Sequence, residues 1–153
     1  MVIHGLTPDE CREVLGRSRH GKLACARDGQ PYVVPISFYL DPEENCAYSF
    51  SAVGQKIEWM RGNPKVCLEV DEIVDQFHWT TVVAFGRYEE IPDSRQHTDA
   101  RRRAHDLLQR HAEWWLPGIG RLNATEGHPT SVVYRIHIDR MTGRRADRPR
   151  PGS

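Results

Sequence analysis

The 153-residue sequence has no excess of charge of either sign, because Lys plus Arg number 21 and Asp plus Glu number 21. A formal net charge of zero argues against a protein that binds nucleic acid or an anionic membrane through overall electrostatic attraction. No apolar run approaches the roughly 20 residues that span a bilayer. The N-terminal segment is too short and too polar to predict a signal peptide. We therefore expect a cytoplasmic protein with neither a membrane nor a nucleic-acid partner.

Cysteine is scarce and is not arranged for metal binding. None of the four cysteines lies in a CxxC pair, and no histidine cluster stands beside them, so a structural zinc site is not expected. Three of them lie among apolar residues of predicted strands, where cysteine behaves as a small hydrophobe, and we expect reduced thiols. The eight histidines predict no metal site, although an axial haem ligand stays open. The four cysteines are Cys11, Cys25, Cys46 and Cys67.

The sequence also lacks the usual signatures of hydrolytic enzymes. It contains no nucleophile elbow, no Ser-His-Asp order and no paired carboxylates placed for hydrolysis. No catalytic residue can therefore be named. If the protein is an enzyme, a cofactor carries the chemistry and the chain orients it.

The sequence does contain many short strand patterns separated by turn signals. Pro35 inside the second strand indicates an edge, a bulge or a break, since proline cannot donate to a strand ladder, and Gly86 allows a bulge in a long strand. The pattern predicts a mostly β, α+β fold: an antiparallel barrel, closed or partly open, with helices at its rim. We expect one domain over residues 1–143 and a disordered basic tail over 144–153. The predicted elements are a helix from Pro8 to about Arg17, strands 21–27, 30–40 and 47–51, a short helix after Gly54, strands 65–71 and 77–91, a helix from about Pro92 to Trp115, and a strand 131–139.

The chain is organised around the segment Ser49–Pro64, in which a strand turns at Gly54 into a short helix that ends at Gly62-Asn63-Pro64. The N-terminus of a helix presents unpaired N–H groups and the positive end of the helix dipole. Ser51 and Lys56 add a hydroxyl donor and a full positive charge. This combination favours a phosphate site, and the alternative is that Ser51 is only a helix cap and Lys56 only a solvated residue.

Four segments in order carry a resemblance to a known family: GKLACARDGQPYVVPISF, YSFSAVGQKIEWMRGNPKVCLEV, WTTVVAFGRYEEI and VVYRIHIDRMTGR. Together they resemble the pyridoxamine 5′-phosphate oxidase-like superfamily, whose fold is the FMN-binding split barrel. Within it the chain is most similar to the nitroimidazole-resistance-type branch. The resemblance covers roughly Thr7 to Arg144. It implies an antiparallel split β-barrel and a homodimer with FMN at the subunit interface.

The resemblance also implies the positions of the cofactor-binding residues. A strand lies along the isoalloxazine ring, and its backbone groups bond the ring edge. A second segment holds the phosphate, and a third group approaches the flavin, often from the other subunit. These residues are, in turn, Val34, Pro35, Ile36, Ser37 and Phe38; Phe50, Ser51, Gly54, Gln55 and Lys56; and Thr81, Trp114 and Trp115.

Three departures from the family pattern bear on function. Many relatives have an arginine where this chain has Gln55, so one cationic phosphate contact is missing; Arg61 or a partner-chain arginine is the candidate replacement. The nitroimidazole-resistance branch often has a histidine at the position of Ser49, so its absence argues against nitroimidazole reduction. The tail has no tryptophan, and pyridoxamine phosphate is therefore not supported as the substrate.

The sequence thus predicts an FMN-dependent oxidoreductase that passes electrons from a reduced donor to a small organic acceptor. The alternatives are a non-catalytic flavin- or haem-binding protein and a cofactor-free structural dimer. A deazaflavin is an alternative to FMN.

Overall fold

The computed structural model describes residues 1–110, 131–149 and 151–152. These parts of the chain form eight strands and three helices. A short 3-10 helix, Arg95–His97, precedes the third helix. In chain order the elements are β1 Val2–Gly5, α1 Pro8–Arg17, β2 His20–Arg27, β3 Gln30–Ser37, β4 Tyr39–Asp41, β5 Cys46–Ala52, α2 Gln55–Gly62, β6 Lys65–Asp75, β7 His78–Glu90, α3 Thr98–Arg110 and β8 Ser131–Asp147.

The strands form one antiparallel sheet in the order β3-β2-β6-β7-β8-β5-β4, with β1 paired to β8. Its two end strands, β3 and β4, do not pair with each other in the described parts of the chain, so the sheet does not close. The predicted α+β class and antiparallel split barrel are confirmed. No described helix combines the length and apolar character needed to cross a membrane.

Local sequence signals explain where the first two helices begin and end. In α1, Thr7 Oγ1 accepts from the Glu10 N–H at 3.2 Å while Glu10 Oε1 accepts from the Thr7 N–H at 3.1 Å, a complete capping box. Helix α2 starts directly after Gly54 and ends before Asn63, as the glycine and proline signals predict.

The core has two parts. Inward side chains of the sheet, α1 and α2 fill the barrel, including Leu23, Leu68 and Ile57. A second cluster lies between β5 and α3, where Tyr48 packs with Leu108. The third helix begins at Thr98 rather than near Pro92, because residues 95–97 form a 3-10 turn first. Its predicted end at Trp115 lies outside the described residues.

Three sequence predictions need correction. The predicted strand 30–40 is divided at Phe38, whose N–H donates to the Arg19 carbonyl at 2.9 Å. Of the three alternatives given for Pro35, the edge is the one found, since β3 is an edge strand of the sheet. Strand β1 was not predicted. Strand β1 pairs with Arg144–Asp147, and β7 pairs with the same segment on its other side. Residues 144–147, expected to be disordered, are therefore the end of strand β8.

A β-bulge interrupts the pairing of β7 and β8, as Gly86 led us to expect. Phe85 pairs with Arg140 and Gly86 with Ile138, which leaves Asp139 as the extra residue. A Cβ atom on Gly86 would overlap the His137 carbonyl oxygen and lie 2.8 Å from Ile136 Cγ2. The close approach of β8 therefore requires glycine at this position.

Gly86→Ala is expected to destabilise the protein by about 2–3 kcal/mol, since the clash involves backbone that cannot move without breaking the sheet ladder. Urea unfolding followed by circular dichroism measures the change. Gly62→Ala is the matched control because open space surrounds that site, and it should be neutral or slightly stabilising. Equal stability of the two variants would contradict the role given to the bulge.

Candidate functional site

The barrel opens at Phe38, where the chain passes from β3 to β4. Strand β4 pairs with β5 in the register Tyr39↔Tyr48, and continuing that register would place Phe38 opposite Ser49. Beyond that point β3 stays with β2 and β5 stays with β8, so the two strands diverge. We call the space between Pro31–Ser37 of β3 and Ser49–Ala52 of β5 the split.

One hydrogen bond fixes the closed end of the split. The hydroxyl of Ser49, which is 2% exposed, donates to the Ser37 carbonyl at 2.6 Å. It ties the end of β3 to β5 just before the strands separate. Ser49, at the position where the nitroimidazole-resistance branch carries histidine, therefore has a structural bond to β3 in this chain.

Helix α2 closes the other end of the split. It follows β5 directly, and its Ile57 and Met60 are buried in the barrel core. The Trp59 ring packs on the Tyr32 ring of β3 with centroids 5.6 Å apart, and Asn63 Nδ2 donates to the Ala26 carbonyl of β2 at 3.1 Å. The helix is thus held against both strands of the β2–β3 hairpin.

The N-terminus of α2 has no cap among the described side chains. None of the described residues beyond the chain neighbours of Gly54 comes within 4 Å of the position that a Cβ atom on Gly54 would occupy. The Glu58 N–H is the first in the helix to bond within it, to the Gly54 carbonyl at 3.1 Å. The N–H groups of Gln55, Lys56 and Ile57 make no such bond in the described part of the chain, as helix geometry dictates.

Lys56 is the charged group of this end. It is half-buried, and burial lowers the pKa of its ammonium group, an effect partly opposed by the nearby Cys25 thiol. No carboxylate in the described residues forms an ion pair with it. A half-buried lysine that has no acidic partner among the described residues, beside helix amides that make no helical hydrogen bond, is a donor set suited to a phosphate.

Arg61, the candidate replacement for the missing family arginine, is already engaged. Its guanidinium donates two hydrogen bonds to Glu90, from Nε at 2.8 Å and from Nη2 at 2.7 Å. Arg61 is therefore not supported as the replacement for the family arginine. Among the described residues of a single chain, Lys56 is the cation at the N-terminus of α2.

The predicted ring-binding residues of β3 divide between two faces. Val34, Ile36 and Phe38 pack into or against the barrel core, and Phe38 is fully buried. Pro35 is exposed and Ser37 half-buried on the other face. What β3 offers along the split is therefore its unpaired backbone edge, in agreement with the backbone contacts that the family resemblance implies.

The other predicted residues lie in three places. Ser51 shares a face of β5 with Ser49, whereas the Phe50 side chain packs on the cluster beneath α3. Thr81 lies on the outer face of β7, where its hydroxyl donates to Glu69 at 3.2 Å, and two strands separate β7 from β3. Trp114 and Trp115 lie outside the described residues. A single chain thus gathers the β3, β5 and α2 groups but not Thr81.

Sequence reasoning missed two features of this region. The position of Cys25 beside Lys56 depends on α2 packing across β2, and no local motif signals it. The ion pair of Arg61 with Glu90 joins residues of α2 and β7 that are distant in sequence. The capping signals located α2 correctly, but only the folded structure shows which of its cations is unpaired.

Comparison with known proteins identifies relatives over nearly the whole chain. The model of a family described as pyridoxamine 5′-phosphate oxidase matches residues 7–145. An uncharacterised protein of Rhizobium meliloti strain 1021 is 38% identical over 148 residues, which are 95% of this chain and 97% of that protein. The family resemblance inferred from the sequence is therefore confirmed.

Two solved structures are also similar. An FAD-binding protein of Mesorhizobium loti is 44% identical, with a TM-score of 0.78 over 96% of this chain and 100% of that one. A candidate 5-nitroimidazole antibiotic resistance protein of Bacteroides thetaiotaomicron is 20% identical, with a TM-score of 0.65 over 97% of this chain and 93% of the other. The second match shows the shared fold alone.

Lys56→Met is expected to stabilise the ligand-free protein by about 1 kcal/mol. The change removes a half-buried charge that has no ion-pair partner among the described residues, and it nearly keeps the length of the side chain. Because the ammonium group is partly accessible to solvent, the gain lies at the low end of the cost of burying a charge. Urea unfolding at neutral pH measures it. Lys65→Met, at an exposed site, should have no effect, and a destabilised Lys56→Met protein would contradict this description of Lys56.

Proposed function

The chain belongs to the pyridoxamine 5′-phosphate oxidase family, and from this premise we propose that it is an FMN-binding oxidoreductase with its cofactor in the split. The phosphate lies at the N-terminus of α2 beside Lys56, and the ring edge lies along β3. Electrons pass from a reduced donor to a small organic acceptor. The observation that carries the proposal is Lys56, which is half-buried at the N-terminus of α2 and has neither an acidic partner nor a neighbouring side-chain cap among the described residues.

The donor set fits a phosphate monoester. Lys56 supplies the charge, while the amides of Gln55 to Ile57 supply directional donors. The Ser51 hydroxyl, which the sequence offered as a further donor, donates instead to the Ala52 carbonyl at 2.8 Å. Gln55 stands in place of an arginine, and Arg61 is bound to Glu90. The backbone amides therefore contribute a larger share of phosphate recognition than they would beside two cations. An anion here also offsets the cost of burying Lys56.

The edge of β3 fits a planar ring with polar atoms on its rim. An edge strand leaves alternate N–H and C=O groups without sheet partners. Pro35 has no N–H, so at that position the strand offers only a carbonyl acceptor. A bound flavin supplies the electron-transfer chemistry; the chain binds and orients it, which agrees with the absence of a recognisable catalytic residue in the sequence.

We propose further that the active form is a homodimer with the cofactor between the subunits. Thr81 supports this part of the proposal. The family resemblance implies that Thr81 approaches the flavin, yet Thr81 lies on the outer face of β7, and two strands separate β7 from β3 of the same chain. A second subunit offers a way to bring the outer face of β7 to the split. Sedimentation velocity with and without flavin tests the assembly.

FMN titration, followed by flavin fluorescence, tests the phosphate site. Lys56→Met should weaken FMN binding about 10- to 100-fold, the value of one charge-assisted contact, but should leave riboflavin affinity unchanged, because riboflavin has no phosphate. Lys22→Met, at an exposed lysine of β2, is the matched control and should bind both normally.

The same titration has outcomes that count against the proposal. Equal loss of FMN and riboflavin affinity would show that Lys56 acts on the ring or the fold rather than on a phosphate. Absence of flavin binding by the native chain would overturn the proposal and direct attention to haem or a deazaflavin. FAD titrated in parallel decides between the mononucleotide and the dinucleotide. Oxidation of a reduced nicotinamide by the FMN-loaded protein with an added acceptor tests the oxidoreductase role.

FMN affinity is also expected to fall as the pH rises toward the alkaline range. Burial depresses the pKa of Lys56 below the ordinary lysine value of 10.5, so free protein loses this proton at a lower pH than other lysines do. Binding above that pKa must take up a proton, and affinity therefore declines. Riboflavin measured over the same pH range corrects for ionisation of the ring, and Lys56→Met should remove the phosphate-dependent part of the decline.

A further inference from the structure

The proposed phosphate site contains one cation when a single chain is considered. Lys56 lies at the N-terminus of α2, Gln55 carries no charge, and Arg61 donates to Glu90 at 2.7 Å. A phosphate monoester carries a charge of about −1.5 to −2 at neutral pH. One lysine leaves part of this charge unmatched, so the surface that a partner subunit brings to the split should carry another cation.

That surface is the outer face of β7, and the strand register shows what lies beside Thr81 on it. Thr81 pairs with Asp71 of β6 on one side and with Arg144 of β8 on the other. Residues that are directly opposite each other in antiparallel strands share a face of the sheet. Arg144 therefore lies on the outer face, level with Thr81.

The guanidinium of Arg144 has no carboxylate partner in the described parts of the chain. Its side chain is exposed. Two nearby arginines differ in this respect, since Arg145 lies 3.5 Å from a Glu10 oxygen and Arg148 lies 3.9 Å from an Asp75 oxygen. Arg144 is thus a cation of this face that is available to an anion from outside the chain.

A glycine across the sheet gives the Arg144 side chain room. Gly5 of β1 pairs with Arg144, and a Cβ atom on Gly5 would lie 3.3 Å from Arg144 Nη1. The guanidinium therefore extends over β1, away from β7.

The carboxylates of this face lie on the other side of Thr81 and have partners there. Lys22 Nζ is 3.4 Å from Asp71 Oδ2, and Glu69 Oε1 accepts the Thr81 hydroxyl at 3.2 Å. Both acidic residues belong to β6, whereas Arg144 belongs to β8. They leave Arg144 without a counter-charge.

Arg140 also points to the outer face of β8 without an ion pair among the described residues, but a ring holds it elsewhere. Its guanidinium stacks on Phe85, 3.9 Å from the ring centroid. The β-bulge turns Asp139 to the same face, where it accepts from Arg87 at 3.1 Å. Four residues separate Arg140 from Arg144, roughly 13 Å along a strand. Arg140 is therefore a matched control for Arg144.

We infer that Arg144 of the partner subunit binds the flavin phosphate together with Lys56. The inference rests on the proposed function, from which it takes the phosphate at α2 and the outer face of β7 at the split. Each site then draws its two cations from different chains, and two-fold symmetry repeats the contact at the second site. A guanidinium adds paired, directional N–H donors to the point charge of the lysine.

Titration of the full-length protein with FMN and riboflavin, followed by flavin fluorescence, tests the role of Arg144. Arg144→Gln should weaken FMN binding about 10- to 100-fold and leave riboflavin affinity unchanged. Arg144→Lys keeps the charge and should lose less. Arg140→Gln, on the same strand and face, should bind both ligands normally.

Mixed dimers test which chain supplies the arginine. Lys56→Met and Arg144→Gln chains with different affinity tags are produced in the same cells, and dimers that carry both tags are purified. If Arg144 acts on the partner's site, one site of each mixed dimer retains both cations and binds FMN with native affinity, while the other site lacks both. If Arg144 acts within its own chain, neither site has both cations and no native-affinity binding appears.

The outcomes separate this inference from the proposed function. A native chain that does not bind flavin, or tagged chains that yield no mixed dimers, would overturn both. Native FMN binding that is lost in Lys56→Met but unchanged in Arg144→Gln would retain the phosphate site and overturn only the role of Arg144. An equal loss of riboflavin affinity in Arg144→Gln, or an equal loss of FMN affinity in Arg140→Gln, would also overturn that role.

Discussion

The backbone pairing of β8 is the constraint on which the rest of the structure depends. This one strand pairs with β7, β5 and β1. Its ladder with β5 holds that strand in place while β5 pairs on its other side with only the short β4. Beyond β4 no strand in the described parts of the chain pairs with that side of β5, and α2 follows at its end. The split is therefore a consequence of a long strand meeting a short one, not of any special residue inside it.

Lys56 differs from three arginines of the same structure, each of which forms an ion pair. Arg61 is bound by Glu90, Arg103 by the buried Asp41 at 2.6 Å, and Arg135 by Glu89. Lys56 is half-buried without such a partner among the described residues, so burying its charge costs stability in the free protein. Natural sequences keep such local conflicts chiefly where function requires them.

The split presents backbone groups of an edge strand and of a helix end, together with one side-chain charge. The N–H groups at the N-terminus of α2 do not depend on which side chain stands at position 55, so Gln55 leaves them in place. Lys56 supplies the charge that the backbone groups lack. A substitution at Lys56 should therefore alter the split more than a substitution at Gln55.

The sequence by itself determined the features that depend on neighbouring residues. The Thr7–Glu10 capping box, the limits of α2 at Gly54 and Asn63, and the bulge at Gly86 each follow from local backbone chemistry, and the order of four segments identified the family. Only the tertiary structure decided the non-local features. It showed β1 pairing with the end of β8, Glu90 occupying Arg61, and Asp139 and Arg140 on one face. These depend on strand register and helix docking, which are set by contacts between residues far apart in the chain and leave no local pattern in a single sequence.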